Sequence, residues 1–383
     1  MLMMERQRLD LPARFDRLRE VDWDFATSDS QSSFSSLHWH PCRYPSQVPA
    51  AIIGALSNPG ELIFDPFLGS GTTGVEAQRL SRRCVGIEIN PVAATMARAK
   101  TINKPATQIS KILEKIRLGV RRTTRRAAVP ASVQAEKWYT ERTLNDLRKL
   151  RYFIDDLTGD SRLIAETAFS AILLPVCRET RHWGYVCDNT APKGDYERNV
   201  LDAFERVLDQ FDSSYQERDA YWRTGTNYAA SDRDVEVLEG DARSVITRCA
   251  TGSAQLLVTS PPYFGVADYV KAQRLSFEWA KTPIEPLRMS EIGARSKRRR
   301  LTAAEEYLQE CKEVFRECRR ILQKKRACVV IFGESTEREL VHSKFISALE
   351  ECEFKLEYSV PRKISERRRF APRVQIEHLL IFT

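Results

Sequence analysis

Several things are missing from this chain of 383 residues. No apolar run reaches the roughly 18 residues that a membrane-spanning helix needs. The first twenty residues are charged throughout, so no secretory signal is expected. Nine cysteines are scattered (Cys42, Cys84, Cys177, Cys187, Cys249, Cys311, Cys318, Cys328, Cys352), and none forms a Cys-x-x-Cys pair. That scatter argues against a zinc or disulfide framework and fits thiols in a reducing cytosol. No metal and a cytoplasmic location are therefore expected. No internal repeat is visible.

What is present describes a folded, basic protein. Hydrophobic residues make up 42% and charged ones 29%, as in soluble globular chains. The length suits one large domain, or a domain with a sizeable insertion. Net charge is +8, and the excess is clustered at Arg121–Arg126, Lys297–Arg300, Lys324–Arg326 and Arg367–Arg369. Four basic clusters suit a polyanionic partner, although any single one is usually a solvated face.

The stretch from Glu61 to Thr73 organises the rest. Leu62–Phe64 reads as a short strand, Asp65, Pro66, Gly69 and Gly71 as a sharp turn, and Thr73–Leu80 as a helix. Strand, glycine turn and helix let a small ligand approach a helix N-terminus, and a Cβ at the glycines would block the ligand or forbid the turn. A phosphate loop would carry Lys-Ser or Lys-Thr after the glycines, and this chain has Gly71-Thr72-Thr73. Gly69-x-Gly71-x-x-Gly74 fits dinucleotide spacing, so spacing alone leaves that ligand open. The carboxylate of Asp65 favours a ligand carrying an ammonium group over a pyrophosphate.

Further candidates follow at strand ends. Arg83–Glu88 reads as a strand ending on a carboxylate about 20 residues after the glycine turn, where a ribose diol is held in Rossmann-like folds. Pro91 then opens a helix. Val235–Glu239, Gly240 and Asp241 repeat the pattern, with Asp241 either accepting from an adenine amino group or capping the helix Ser244–Cys249. Leu256–Val258 is a continuous apolar run, as in a strand buried on both faces of a parallel sheet. Ser260-Pro-Pro-Tyr263 leaves its tip. Two prolines remove two backbone donors and stiffen that loop, and Tyr263 offers an aromatic face. Upstream, His38–Pro49 is a proline-punctuated segment leading into a helix near Val48, with Ser46 as a candidate cap. Taken on its residues alone it reads as a plain entry to a core helix.

The alternation breaks between residues 131 and 232, where helical periodicity covers Glu141–Leu157, Arg162–Leu174 and Tyr196–Trp222. Within it, Arg178–Lys193 holds residue types that read base edges and stack on bases. It serves either target recognition or as a lid. Candidate DNA contacts are Arg181, Trp183, Arg274, Lys297, Arg298, Arg299, Arg300 and Arg368, with Met289–Thr302 as a mobile, DNA-facing loop. The expected organisation is an N-terminal arm over 1–37, loosely ordered. A catalytic domain spans 38–130 and 233–383, and the helical insertion 131–232. Strands at Ala327–Phe332, Phe354–Val360 and Gln375–Thr383, with helices Ala303–Leu322 and Glu339–Glu351, bring the strand count to seven.

The run Asp65-Pro-Phe-Leu-Gly69-Ser-Gly71-Thr-Thr73 resembles the signature of S-adenosylmethionine-dependent amino-methyltransferases that act on DNA, and Ser260-Pro-Pro-Tyr263 resembles their catalytic loop. Ser at its first position is mostly a feature of cytosine-N4 members. The resemblance implies an α/β, Rossmann-like class I methyltransferase fold: a seven-stranded, mostly parallel sheet with a closing antiparallel hairpin. It implies S-adenosylmethionine held by His40, Tyr44, Asp65, Phe67, Gly69, Ser70, Gly71, Thr72, Thr73, Glu88, Ile89, Asp241 and Ala242. It further implies catalysis by Ser260, Pro261, Pro262 and Tyr263 on the exocyclic amine of a base flipped out of double-stranded DNA and stacked on Tyr263. A restriction endonuclease is the partner such enzymes suggest. The glycine loop precedes the Ser-Pro-Pro-Tyr loop here, the reverse of the usual order in the group whose wording it most resembles. Cytosine-C5 transfer would need a Cys in the proline loop, and there is none. Adenine-N6 transfer, RNA guanine-N2 transfer and a non-catalytic DNA-binding protein are the alternatives.

Overall fold

The structure, a computed structural model, describes residues 11–25, 33–38, 40, 44–103, 106–130, 134–178, 191–192, 194–224, 233–297, 300–335, 339–364 and 374–383. The apolar runs become β1 (Leu62–Asp65), β2 (Arg83–Glu88), β3 (Val235–Glu239), β4 (Leu256–Thr259), β5 (Cys328–Ser335), β6 (Leu356–Lys363) and β7 (Val374–Phe382). They form one sheet in the order β3-β2-β1-β4-β5-β7-β6. Six strands run in one direction, and β7, between β5 and β6, is antiparallel to both. The expected seven strands and closing hairpin are thus present.

Alternating residues feed two cores, because successive side chains of a strand point to opposite faces. Ile63, Leu256, Val258, Val329 and Ile331 pack under helices α1 (Leu11–Arg19) and α2 (Gln47–Leu56). Phe64, Leu257, Val330 and Phe332 pack on the other face against helix Ala303–Ile321 and helix Glu339–Glu350. All four residues of β4 are buried, which is why Leu-Leu-Val-Thr lacks polar alternation.

The chain leaves β1 towards β2 on one side, while β4 and β5 lie on the other. Such a reversal opens a crevice at the carboxyl ends of the two central strands. The loops after β1 and β4 therefore face each other. On β1's side come α3 (Thr72–Arg79) and α4 (Pro91–Lys100). Asn90 caps α4 with its side chain accepting from the Val92 and Ala93 N–H groups, and Pro91 occupies the first turn, where its missing donor costs nothing.

Three expectations need correcting. Residues 11–25 are no loose arm: Leu18 and Trp23 are buried in the sheet core, and Arg14 donates to Asn58 Oδ1 at 3.1 Å. The helical unit also begins before residue 131. Ile109, Ile112 and Ile116 of α5 (Ala106–Arg122) share one core with α7 (Glu141–Asp155), α8 (Gly159–Leu173) and α9 (Val200–Thr224), while α6 (Gln134–Trp138) lies between. That unit stands on the sheet fold through α8 against α4. Finally, Ser46 makes no side-chain cap bond to α2, because its own backbone is already helical.

Candidate active site

The loop after β1 is closed upon itself. Phe67 N–H donates to Asp65 Oδ1 (3.0 Å), Leu68 N–H to Ile87 O (2.9 Å), Gly69 N–H to Glu88 Oε2 (2.8 Å) and Gly71 N–H to Leu68 O (3.0 Å). Four backbone donors are thereby used inside the protein. A pyrophosphate cradle would leave such donors pointing outward, so the loop is not built as one. Gly69 and Gly71 both have positive φ, +55° and +88°. The reason for Gly71 differs from the expected close ligand approach. A Cβ there would lie 2.8 Å from the Cβ of Ala97 on α4, so this glycine lets α4 pack.

Asp65 also differs from expectation. It is fully buried and is absent from the cleft lining. Its Oδ1 accepts from Thr259 Oγ1 and its Oδ2 from Thr73 Oγ1, both at 2.6 Å. The Tyr44 hydroxyl bonds to Thr73 in turn. Burial raises the Asp65 carboxyl to about 6 against the lowering effect of these donors. Asp65 therefore fastens strand tips together, with both of its oxygens engaged inside the protein.

The cleft itself lies where the crevice was expected. Its lining joins His40, Tyr44, Phe67, Gly69, Ser70, Thr72, Glu88, Ile89, Asp241 and Ala242 with Ser260, Pro261, Pro262 and Tyr263. Of the predicted cofactor residues only Asp65, Gly71 and Thr73 lie behind its surface. No Lys or Arg lines it among the described residues, whereas Glu88, Asp241 and Glu291 do. Glu88 accepts the Gly69 and Asn90 N–H groups, one on each oxygen. Each oxygen keeps a lone pair for a hydroxyl. Burial lifts its carboxyl to about 7. Asp241 caps α10 (Ala242–Val245) through the Arg243 N–H and is paired with the Arg243 guanidinium at 2.6 Å, so the capping alternative holds while Asp241 still lines the cleft.

The expected cofactor can be tested against this lining. Ser70 is 3% exposed and its Oγ has no hydrogen-bond partner. A buried hydroxyl left unpaired costs free energy, and a polar ligand beside it would remove that cost. A diol acceptor at Glu88, acidic walls and an open hydroxyl fit S-adenosylmethionine, which carries a ribose, an ammonium and a sulfonium.

The loop after β4 forms the opposite wall. Tyr263 does not present an open aromatic face. It is 3% exposed, its hydroxyl donates to Glu377 Oε1 at 2.8 Å, and Ser260 Oγ lies 3.2 Å from that hydroxyl. Three polar lining residues, Asn90, Ser290 and Glu291, were not among the expected site residues, whereas Tyr269 lies in the segment Phe264–Trp279 that was expected to continue the active-site wall. Glu291 is 4% exposed; its Oε1 accepts the Val270 N–H at 2.8 Å while its Oε2 has no partner. A buried acid in a loop expected to be mobile has no sequence signature.

The three predicted DNA contacts among the described residues, Arg274, Lys297 and Arg300, do not line the cleft. Arg274 is held by Glu278 at 2.9 Å. Lys297 Nζ donates to the Met289 and Glu291 carbonyls at 2.9 and 2.7 Å, which fastens the segment expected to be a mobile loop. Arg300 sits 3.6 Å from Glu306. Arg181, Trp183, Arg298, Arg299 and Arg368 lie outside the described residues.

Sheet order and cleft together define a class I methyltransferase fold. A family model described as DNA methylase matches residues 14–99. Among curated proteins, the type II methyltransferase M.SmaI of Serratia marcescens is 42% identical over 86 residues, 22% of this chain and 27% of its own length. The type II methyltransferase M2.DpnII of Streptococcus pneumoniae is 44% identical over 61 residues, 16% of this chain and 23% of its own. The chain thus spans about a quarter of the length of the curated relatives it matches. Among solved structures, an S-adenosylmethionine-dependent methyltransferase from Methanosarcina mazei is 10% identical over 86% of this chain and 95% of that chain, with a TM-score of 0.36.

Proposed function

We propose that this protein transfers a methyl group from S-adenosylmethionine to the exocyclic amine of a base in double-stranded DNA, with cytosine N4 the favoured acceptor and adenine N6 the runner-up. The observation that carries the reading is that one cleft joins the Ser70 and Glu88 wall to the Ser260-Pro-Pro-Tyr263 wall. Bound there, the cofactor would supply a methyl group activated by a sulfonium. Glu88 would accept the ribose hydroxyls, and Ser70 would give its hydroxyl a partner.

An exocyclic amine is a poor nucleophile because its lone pair is delocalised into the ring. Ser260 Oγ and the Pro261 carbonyl would each accept one N–H, turning the lone pair out of the ring plane. Pro261 and Pro262 have no N–H, which keeps donors out of a loop that must only accept. No covalent nucleophile is required, and the amine would shed one proton to water on gaining the methyl group, so positioning and electrostatics supply the rate. Because Tyr263 is buried here, stacking of a flipped base on it requires the base to enter beside the ring or the loop to open. Arg121, Arg122 and Arg126 are exposed on and beyond α5, offering the helical unit as a phosphate-facing surface. A cognate restriction endonuclease would complete such a system.

Methyl-labelled S-adenosylmethionine, incubated separately with unmethylated genomic duplex DNA and with transfer RNA, tests the reading. Label recovered as N4-methylcytosine after nucleoside digestion is expected. Label in N6-methyladenine would move the assignment to the runner-up, and label in transfer RNA alone would overturn it.

A further inference from the structure

The Tyr263 ring lies against Gly333 of β5, where an added Cβ would come within 2.4 Å of it. Gly333 stands opposite Glu377 of β7 in the sheet register, so removing a side chain from one strand opens a path to a carboxylate on the next. Through that gap Tyr263 Oη donates to Glu377 Oε1 at 2.8 Å. The other Glu377 oxygen is paired with Arg362 Nη1, and Arg362 Nε donates to the Trp23 carbonyl at 3.1 Å. Glu377 and Arg362 are 6% and 3% exposed. At the near end, Ser260 Oγ is 3.2 Å from Tyr263 Oη.

The direction of these bonds follows from their far end. A carboxylate paired with a guanidinium only accepts hydrogen bonds, and a hydroxyl has one proton to give. Tyr263 gives its proton to Glu377, so its oxygen is left as an acceptor. Ser260 therefore gives its proton to Tyr263, and its lone pairs are the part left for the cleft. Resting on the function proposed above, we infer that Glu377 is a positioning residue: through Tyr263 it fixes the Ser260 hydroxyl as an acceptor for the substrate amine. An aspartate at position 260 would accept without help, because its carboxylate has no proton to orient. The serine makes the relay necessary. No proton changes owner, and the device sets only polarity.

Glu377→Gln tests this, since an amide beside Arg362 presents its NH2 to Tyr263 and reverses every bond. Ser260 would then aim a donor at the amine. Single-turnover transfer to unmethylated genomic duplex DNA is expected to fall on the order of tenfold, the loss of about one hydrogen bond. The dissociation constant for S-adenosylmethionine, read by calorimetry, should stay unchanged. The penalty should vanish in a Tyr263→Phe background, where the relay is already cut, and in a Ser260→Asp background, where it is not needed. Transfer by Glu377→Gln within about twofold of wild type, or an equal penalty in the Tyr263→Phe background, would overturn the relay. Should Glu377→Gln not fold, Tyr263→Phe carries the test, because it leaves the Arg362–Glu377 pair intact. Its loss must disappear with Ser260→Asp, and a Ser260→Asp chain that transfers nothing also overturns the proposal. A wild-type chain that binds the cofactor yet methylates no DNA would instead sink the proposed function.

Discussion

Thr259 Oγ1 donates to Asp65 Oδ1 across 2.6 Å, tying the last residue of β4 to the last residue of β1. The two loops that make the cleft depart from that tie. The same carboxylate holds Thr73 at the start of α3 and, through it, Tyr44. One buried acid therefore fixes the separation of both walls.

Asp65→Ala should consequently act on stability before affinity. It leaves the Thr73 and Thr259 hydroxyls and the Phe67 N–H without their acceptor, each buried or nearly so, at a cost of roughly 2–5 kcal/mol in total. Chemical denaturation should record the loss without any cofactor present. Asp65→Asn keeps an acceptor and escapes the desolvation that raises this carboxyl to about 6, so it should cost less. An Asp65→Ala chain as stable as wild type would refute the fastening role.

Ser70→Ala separates ligand contact from structure. Its hydroxyl is buried without a partner, so removal should leave the melting temperature of the free protein unchanged or slightly raised. Affinity for S-adenosylmethionine should fall about fivefold to tenfold, as one neutral hydrogen bond predicts. Calorimetry and thermal melts on the same preparation check both halves.

Gly71→Ala should destabilise without touching the cleft. A positive φ of +88° and a Cβ 2.8 Å from that of Ala97 act together, for about 2–4 kcal/mol. Ala97→Gly should return only part of it, because the Ala97 Cα also lies 2.9 Å away.

Glu291 makes stability depend on pH in a direction that can be worked out. Burial raises its carboxyl to about 7, above its value in the unfolded chain. The folded state then holds a proton that the unfolded state has released, so this group's contribution falls as pH rises from about 4.5 to 7. Glu291→Gln removes the titration. Its stability relative to wild type should grow across that window, approaching roughly 3 kcal/mol at most, and level off above pH 8. Urea melts at pH 5, 6, 7 and 8 check the trend. A constant difference would mean that the buried acid does not titrate there.

The sequence carried the sheet because each strand is a compact apolar run bounded by turn residues. β2 and β3 were legible to the residue, and β7 to within one position at each end. Glu88 and Asp241 were legible because strand-end carboxylates recur at fixed offsets. What could not be read was direction in space. Asp65 sits at the predicted strand tip, but the alternation that brings Phe64 to one face turns its carboxylate away from that face, and Thr73 and Thr259 hold it there. Glu377 is 114 residues from Tyr263 in the chain, and only the β5–β7 pairing brings them together. α1 and α5 were misassigned because each is amphipathic and basic, a pattern shared by solvated helices and by helices packed along one stripe.

The Arg362 bond to the Trp23 carbonyl has a practical consequence. β6 is the outer rim of the sheet, and Lys363 N–H also donates to Asp24 Oδ1 at 2.7 Å. Expression clones shortened past residue 25 would strip this cover, leaving Arg362 Nε and the Lys363 N–H at the rim without their acceptors. Such material should self-associate by rim-to-rim pairing, so soluble protein for crystallisation or binding work should keep these leading residues.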